Sequence, residues 1–144
     1  MKRVTTLLAG LCLFSSVQAE IVNIGNAELE RLTAQGVPLI DIRTEPEWRA
    51  SGLLAGSRAL TFFDAQGRAN PEAWLKRVES FAPPGQPIIL ICRSGNRSRA
   101  AAEYLEQRGR YAKVYNVTRG VQGWAGEGRP FVTPSTACLA GERC

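Results

Sequence analysis

Two kinds of apolar segment alternate along the chain. Short, nearly continuous apolar runs are typical of strands buried on both faces of a parallel sheet. Such runs occupy 21–24, 38–42, 87–91 and 113–117, and the apolar residues of 58–63 indicate a further short strand. The run at 87–91 is the most apolar of them and predicts the central strand of a sheet.

The segments between these runs carry apolar residues at helical spacing. Asn26, Thr44 and Asn70 each stand before such a segment, and their side chains can cap its first turn. We therefore expect helices from Asn26 to a stop at Gly36, over 45–48, over 71–81 and over 99–108, with a loop or short helix over 119–128.

Strands that alternate with helices predict an α/β fold with a central, mostly parallel sheet and helices on both faces. In such folds, ligands bind at the carboxyl ends of the strands, and Cys92 lies at the end of the run at 87–91. The chain has 144 residues, of which 44% are hydrophobic and 22% charged, which leaves room for one domain with a core.

The first nineteen residues differ from the rest. Lys2 and Arg3 precede an apolar run over 4–14, and small residues occupy the two positions that determine signal cleavage before Glu20. The run spans only 11 residues, whereas a membrane-spanning helix needs about 20. We expect a secretory signal peptide over 1–19, a domain over 20–130 and a C-terminal tail over 131–144 in an exported, periplasmic or secreted protein without a stable membrane anchor.

Charge and histidine content narrow the possible functions. Removal of Lys2 and Arg3 lowers the formal charge from +5 to +3, and no dense basic run remains, which argues against a nucleic-acid partner. The chain has no histidine, which excludes a Ser-His-Asp triad, a Cys-His dyad and any His-ligated metal site. We expect neither a metal nor a cofactor, and the oligomeric state stays open.

The mature chain keeps Cys92, Cys138 and Cys144 in a compartment where disulfides persist, so one of them stays unpaired within the monomer. Cys138 and Cys144 are separated by five residues including Gly141 and can close a small loop in the tail. We expect a disulfide there and a free, reactive thiol at Cys92. Whether the tail pair is structural or redox-active stays open.

The loop after the strand at 87–91 carries the candidate chemistry. A loop between a buried strand and a helix can turn its N–H groups inward and bind negative charge, helped by the helix N-terminus. Gly95 supplies backbone freedom for the turn, and the guanidinium groups of Arg93 and Arg97 favour the thiolate form of Cys92. The expected anion-binding loop consists of Arg93, Ser94, Gly95, Asn96, Arg97 and Ser98.

A Cys92 thiolate could take the outer sulfur of thiosulfate and hold it as a persulfide. No general base is needed, because the nucleophile is already ionised and sulfite is a competent leaving group. The alternative is an inert cysteine that finishes a buried strand, with Arg93, Arg97 and Arg99 as a solvated basic face. A cation near a helix N-terminus opposes the dipole, so Arg97 indicates a nearby anion.

Four segments resemble the rhodanese family: Asp41-Ile42-Arg43 with Glu47-Trp48, then 52–57, then 92–98, then 120–124. The resemblance covers roughly 24–124 and implies a small α/β fold in which Cys92 carries sulfur and 93–97 cradle it. It implies that Arg93 receives the anionic end of thiosulfate and that Asp41 and Arg43 support the site from a neighbouring strand end. An internal ion pair is an equally weighted role for Asp41.

The spacing within the loop favours sulfur transfer. Four residues separate Cys92 from Arg97, whereas related phosphatases have one more to accommodate phosphate or arsenate. Two departures affect loop geometry: the family's histidine-containing Gly-His-Ile-Pro-Gly stretch is 52–56 here, and its Gly-Gly pair is Arg119-Gly120. Both leave the nucleophile in place.

We therefore expect a thiosulfate sulfurtransferase of the rhodanese type, with a small anionic sulfur donor and a thiol, protein thiol or cyanide as acceptor. Three alternatives stay open. The first is thiol-disulfide exchange or sulfur binding by Cys138 and Cys144, although their spacing is not the CxxC of such oxidoreductases. The second is phosphate or arsenate chemistry in the same loop, and the third is a non-catalytic partner-binding module.

Overall fold

A computed structural model describes residues 19–108 and 110–144. The predicted signal peptide, apart from Ala19, lies outside the described residues. Within them, no helix is long and apolar enough to cross a membrane.

The centre of the molecule is a five-stranded parallel sheet with the strand order β1-β5-β4-β2-β3. The predicted α/β fold with a parallel sheet is confirmed. The order places β4 between β5 and β2, so the most apolar run does form the central strand. The strands are β1 (Glu20–Ile24), β2 (Leu39–Asp41), β3 (Arg58–Ala59), β4 (Ile88–Ile91) and β5 (Lys113–Val117).

Helices cover both faces of the sheet. Side chains of α3 and α4 form one apolar cluster with the sheet, and side chains of α1 and α5 form a second cluster on the opposite face. The helices are α1 (Asn26–Ala34), α2 (Glu45–Ser51), α3 (Pro71–Glu79), α4 (Asn96–Arg108), α5 (Gly120–Gly126) and α6 (Thr136–Leu139).

Strand β4 shows why its sequence is apolar throughout. Ile88 and Leu90 belong to the cluster with α3 and α4, whereas Ile89 and Ile91 belong to the cluster with α1 and α5, and all four are fully buried. Each such side chain contributes about 2 kcal/mol relative to an exposed one. Cys92 continues the row of Ile88 and Leu90, so its side chain lies on the α4 side of the sheet.

Several element boundaries differ from the sequence prediction: α2 runs to Ser51 and α3 ends at Glu79, and three further differences follow. Asn26 is the first residue of α1 and not its cap, because the chain enters the helix at Gly25, whose carbonyl accepts from Leu29 N at 3.0 Å. Strand β3 has two residues, although Leu60 and Phe62 still bond back to the carbonyls at the end of β2. Helix α4 begins at Asn96 and not at Arg99, because the Arg99 amide already bonds to the Gly95 carbonyl at 3.0 Å.

The C-terminal tail folds back onto the β3 edge of the sheet. Leu53 and Val132 exchange backbone hydrogen bonds of 3.0 and 2.8 Å, and the Cys144 amide donates to the Ser57 carbonyl at 2.8 Å. A disulfide joins Cys138 and Cys144, whose Cα atoms are 5.0 Å apart. Because the tail occupies this edge, the backbone groups of β3 are not left open for pairing with another chain.

Candidate active site

Cys92 lies directly after β4 and is the one free cysteine in the described part of the chain. Its side chain is fully buried. The Gly95 amide donates to the Cys92 Sγ at 3.1 Å, and the Ser98 Oγ lies 3.3 Å from the same sulfur. The sulfur therefore sits inside the turn between the strand and α4, beside two hydrogen-bond donors.

The carbonyl groups of this turn are held by α5. The Val121 amide donates to the Cys92 carbonyl at 2.9 Å, and the Gln122 amide donates to the Arg93 carbonyl at 3.0 Å. All peptide bonds here are trans, so each following N–H points opposite to its carbonyl. The amides of Arg93 and Ser94 thus point away from α5, and within residues 19–108 and 110–144 they donate to no protein group. Backbone N–H groups that have no protein acceptor can bind an anion.

Two glycines allow this close contact between the loop and α5. Gly95 has a φ of +96°, and a Cβ there would overlap the Thr118 carbonyl oxygen. Gly120 has a φ of +51°, and a Cβ there would overlap the Cys92 carbonyl oxygen. Any side chain at either position would separate the two segments and release the carbonyls that α5 holds.

Arg97 has an anionic partner from the protein itself. Its terminal nitrogens donate to the two carboxylate oxygens of Glu47 at 2.9 and 2.6 Å. The same carboxylate accepts from the Thr44 amide at 3.0 Å in the capping box of α2. The hydrogen bonds from Arg97 are the largest cause that lowers the pKa of Glu47 to about 2. The sequence indicated an anion near Arg97, and Glu47 is that anion.

This pairing assigns Arg97 a different part in anion binding from the one expected. Its pKa is raised, first by the Glu47 hydrogen bonds and further by the charges of Glu47, Cys92 and Asp41. Glu47 takes two of the five guanidinium N–H groups and holds the Arg97 head group towards α2, so Arg97 can favour an anion at Cys92 through its field. Glu47 was not among the predicted site residues, although its position three residues after Thr44 marks it as a capping-box carboxylate.

Asp41 and Arg43 form a buried ion pair at the end of β2. The Arg43 guanidinium donates to both Asp41 oxygens, with the shortest contact at 2.7 Å. The Trp48 indole donates to Asp41 at 3.0 Å, and Arg43 also donates to the Gly52 carbonyl at 2.8 Å. These contacts tie the end of β2 to the middle and the C-terminal end of α2. Of the two roles considered for Asp41, the observed geometry is that of the internal ion pair.

A cavity of about 290 Å³ opens beside the loop, between α2 and α5. Its lining includes Arg43, Glu47, Arg93, Val121, Gln122 and Phe131. Arg93 is exposed, and among the described residues it forms no ion pair. A second cavity, of about 580 Å³, lies on the α4 side and includes Glu47, Asn96 and Arg97 in its lining. Glu47 thus borders both cavities, and Arg97 borders the second.

The structure brings the predicted loop residues together and separates them from the tail cysteines. Arg93, Ser94 and Asn96 are exposed around the buried Cys92 and Ser98. Cys138, in contrast, packs in a separate cluster with Trp48, Leu53 and Ala59. Asn116 and Asn23 were not predicted, yet Asn116 contacts Ser98 at 2.6 Å. The sequence contained one signal for this contact, because Asn116 is a polar residue within the apolar run at 113–117.

Comparison with known proteins gives consistent matches. A family model described as a rhodanese-like domain matches residues 26–127. The chain is 31% identical over 123 residues to thiosulfate sulfurtransferase 18 of Arabidopsis thaliana, covering 83% of this chain and 90% of that protein. It is 34% identical over 100 residues to a sulfurtransferase of Allochromatium vinosum, covering 69% and 82%. The crystal structure of a rhodanese-related protein from Thermoplasma volcanium has a TM-score of 0.56 at 26% identity, covering 78% and 98%.

Substitution of Gly95 tests the backbone contact. Gly95→Ala combines a positive φ with overlap at Thr118, whereas Gly36→Ala has a φ of +84° and no atom within 4 Å of the new Cβ. The control should lose roughly 1–2 kcal/mol from conformational strain alone. Gly95→Ala should lose at least about 1 kcal/mol more, measured by urea unfolding, because the loop must move. Equal losses would show that the contact is not tight.

The Glu47–Arg97 pair predicts a pH dependence of stability. The folded pKa of about 2 lies below the ordinary value of 4.5, so the pair's full contribution is present above pH 4.5 and is lost as the pH falls towards 2. Glu47→Gln should therefore lose stability less steeply across that window, measured by urea unfolding at a series of pH values. Glu45→Gln, at an exposed position of the same helix, should keep the wild-type slope. Identical slopes for Glu47→Gln and wild type would contradict this account.

Proposed function

Because the chain belongs to the rhodanese-like domain family and is a sulfurtransferase in that broad sense, we propose that it carries sulfur as a persulfide on Cys92. We further propose thiosulfate, or a similar anionic sulfane-sulfur compound, as the donor. The acceptor is a thiol, a protein thiol or cyanide.

One observation carries this proposal: a fully buried Cys92 Sγ accepts a hydrogen bond from the Gly95 amide at 3.1 Å, beside amides that have no protein acceptor. A buried negative charge is costly unless it is hydrogen-bonded. Backbone donors that are already fixed in place stabilise such a charge without reorganisation. The loop therefore suits a thiolate and, after transfer, a persulfide anion.

The reaction needs two displacement steps. The Cys92 thiolate attacks the outer sulfur of thiosulfate, a new S–S bond forms, and the S–S bond of thiosulfate breaks with its electron pair leaving on sulfite. The acceptor thiolate or cyanide then attacks the outer sulfur of the persulfide and releases the Cys92 thiolate. Because each step starts from an anionic nucleophile, neither step uses a general base.

Arg93 is the side chain best placed for the donor's anionic end. It is exposed, it lines the 290 Å³ cavity, and its backbone carbonyl is fixed by α5. Arg97 is held by Glu47 and contributes positive potential. Arg93 thus binds the incoming anion, whereas the amides of the loop hold the transferred sulfur.

Thiol-disulfide exchange by the tail pair finds less support. Cys138 is buried with Trp48, Leu53 and Ala59, and it shares no cluster with Cys92. The tail forms backbone hydrogen bonds with Leu53 and Ser57 and so covers the edge of the sheet. These observations favour a structural role for the disulfide.

Sulfur loading tests the proposal. Protein without its first nineteen residues, incubated with thiosulfate, should gain the mass of one sulfur atom, and cyanide should remove it with release of thiocyanate. Cys92→Ser should gain nothing, because it lacks the sulfur nucleophile. The double variant Cys138→Ser, Cys144→Ser should still load, measured by intact-mass spectrometry.

The matched outcomes separate the two cysteine sites. Loading that persists in Cys92→Ser and disappears in the tail double variant would assign the chemistry to the tail. Failure of wild-type protein to load from thiosulfate, inorganic polysulfide and a low-molecular-weight persulfide alike would overturn the sulfur-carrier function.

We also propose that the protein is exported after cleavage behind Ala19. The position of β1 supports this, because the strand begins at Glu20 and cleavage leaves every strand complete. Expressed with its leader in a Gram-negative bacterium, the protein should be recovered from the periplasm with Glu20 as its first residue. Leu8→Arg, which interrupts the apolar run, should remain unprocessed. Unprocessed wild-type protein in the cytoplasm would refute export.

A further inference from the structure

A row of polar side chains connects Cys92 to the surface on the α4 side of the sheet. The Ser98 Oγ lies 3.3 Å from the Cys92 Sγ and 2.6 Å from the Asn116 Oδ1. The Asn116 Nδ2 lies 3.0 Å from the Asn23 Oδ1, and Asn23 is exposed on the edge strand β1. The two displacement steps described above do not use Asn116 or Asn23.

Asn116 is unusual for its position. It is 3% exposed on β5, which lies between β1 and β4, and its neighbours in the sheet are Asn23 on β1 and Leu90 on β4. An apolar side chain there would extend the cluster that contains Leu90 and Cys92. A buried carboxamide is tolerated because Ser98 and Asn23 satisfy it.

The hydroxyl of Ser98 has one proton and three neighbours. Asn116 Oδ1 is at 2.6 Å, the Gly95 carbonyl oxygen at 3.2 Å and Cys92 Sγ at 3.3 Å. While Asn116 presents its oxygen, the shortest bond takes that proton and Ser98 can only accept from Cys92. This arrangement suits a protonated thiol, whose S–H can donate to Ser98.

A carboxamide can also present its nitrogen in the same place, because its oxygen and nitrogen ends have nearly the same shape. With both carboxamides turned, Asn23 donates to Asn116, Asn116 donates to Ser98, and Ser98 donates to the sulfur. The 3.0 Å separation permits a hydrogen bond in either direction, whereas the 2.6 Å separation is that of an O–H···O bond and must lengthen by a few tenths of an ångström when the Asn116 nitrogen faces Ser98. This second arrangement suits a thiolate or a persulfide anion.

We propose that Asn116 and Asn23 are positioning residues that direct the Ser98 hydroxyl according to the charge on Cys92. The part concerning the persulfide rests on the proposed function, whereas the part concerning the thiolate does not. No proton travels along the row: the Cys92 proton leaves to solvent, the hydroxyl rotates, and the two carboxamides turn.

The charged groups around Cys92 stay in fixed pairs during this change. Arg97 faces it from α4 and is bonded to Glu47 of α2, and Asp41 at the end of β2 is bonded to Arg43. Arg93, on the loop itself, is exposed. Neither pair changes its partner between the two arrangements, so the polar row is the part of the surroundings that can adjust to the charge on Cys92.

Asn23→Asp tests the proposal at an exposed position. A carboxylate can only accept, so it holds the Asn116 nitrogen outward and the Asn116 oxygen towards Ser98, which disfavours the anion. The pH midpoint of thiolate ultraviolet absorbance, with Cys92→Ser as the blank, should rise so that the thiolate fraction at fixed pH falls roughly threefold to tenfold. Asn23→Ala, which leaves Asn116 free to turn, should change the midpoint less.

The midpoint shift in Asn23→Asp could come from the direction of the hydrogen bonds or from the added charge. A measurement at high salt separates these two causes. At about 1 M salt the screening length is only about 3 Å, so a through-space effect of a carboxylate at the exposed position 23 would be reduced, while a locked row would keep the shift. Asn116→Asp should show a larger rise, and its sulfur-loading rate should recover at higher pH. A stability defect alone would lower that rate equally at all pH values.

An unchanged midpoint in folded Asn23→Asp and Asn116→Asp, or a shift abolished by salt, would overturn the proposal. The titration reads Cys92 without any sulfur donor. Failure of wild-type protein to load sulfur would therefore refute the proposed function and leave this measurement standing.

Discussion

The backbone contact between the Cys92 loop and the start of α5 is the constraint on which the site depends. Two consecutive loop carbonyls, those of Cys92 and Arg93, are bonded to amides of α5. A peptide group that turned over would lose a buried hydrogen bond and would aim its own amide at α5. The loop is therefore oriented by main chain alone, with glycine at the two crossing points, before any side chain contributes. The hydrogen-bond donors around Cys92 are thus fixed without any histidine.

Most of the arginines beside the Cys92 loop are paired with carboxylates of the protein itself. Arg97 is paired with Glu47, and Arg43 is paired with Asp41, with both carboxylates provided by the end of β2 and the start of α2. Removal of either carboxylate would leave a partly or fully buried guanidinium without its partner. Among the residues that the structure describes, Arg93 forms no such pair. Fixed pairs thus set the potential at the sulfur, and an exposed arginine is left to meet an incoming anion.

Periodicity predicted the sheet because strands such as β4 are apolar on both faces, and the caps Thr44 and Asn70 marked helix starts correctly. The sequence could not show that Glu47 would pair with Arg97, 50 positions later, or that Asn23 would meet Asn116, 93 positions later. Strand order creates both contacts, because β4 pairs with β2 and β5 pairs with β1, and no local pattern encodes that order. The sequence predicted that α4 begins at Arg99, whereas it begins at Asn96. The reason is that Gly95, which turns the loop, also accepts the first hydrogen bond of the helix.

A sulfur carrier passes through neutral and anionic states of one buried atom, and its surroundings must stabilise both. A charged relay would have to be desolvated on the α4 side of the sheet, where the neighbours of Cys92 are apolar. A hydroxyl and two carboxamides avoid that cost, because they reverse their dipoles without gaining charge. The buried Asn116 would then be retained for reversibility, since an apolar residue could neither accept a hydrogen bond from the Ser98 hydroxyl nor donate one to it.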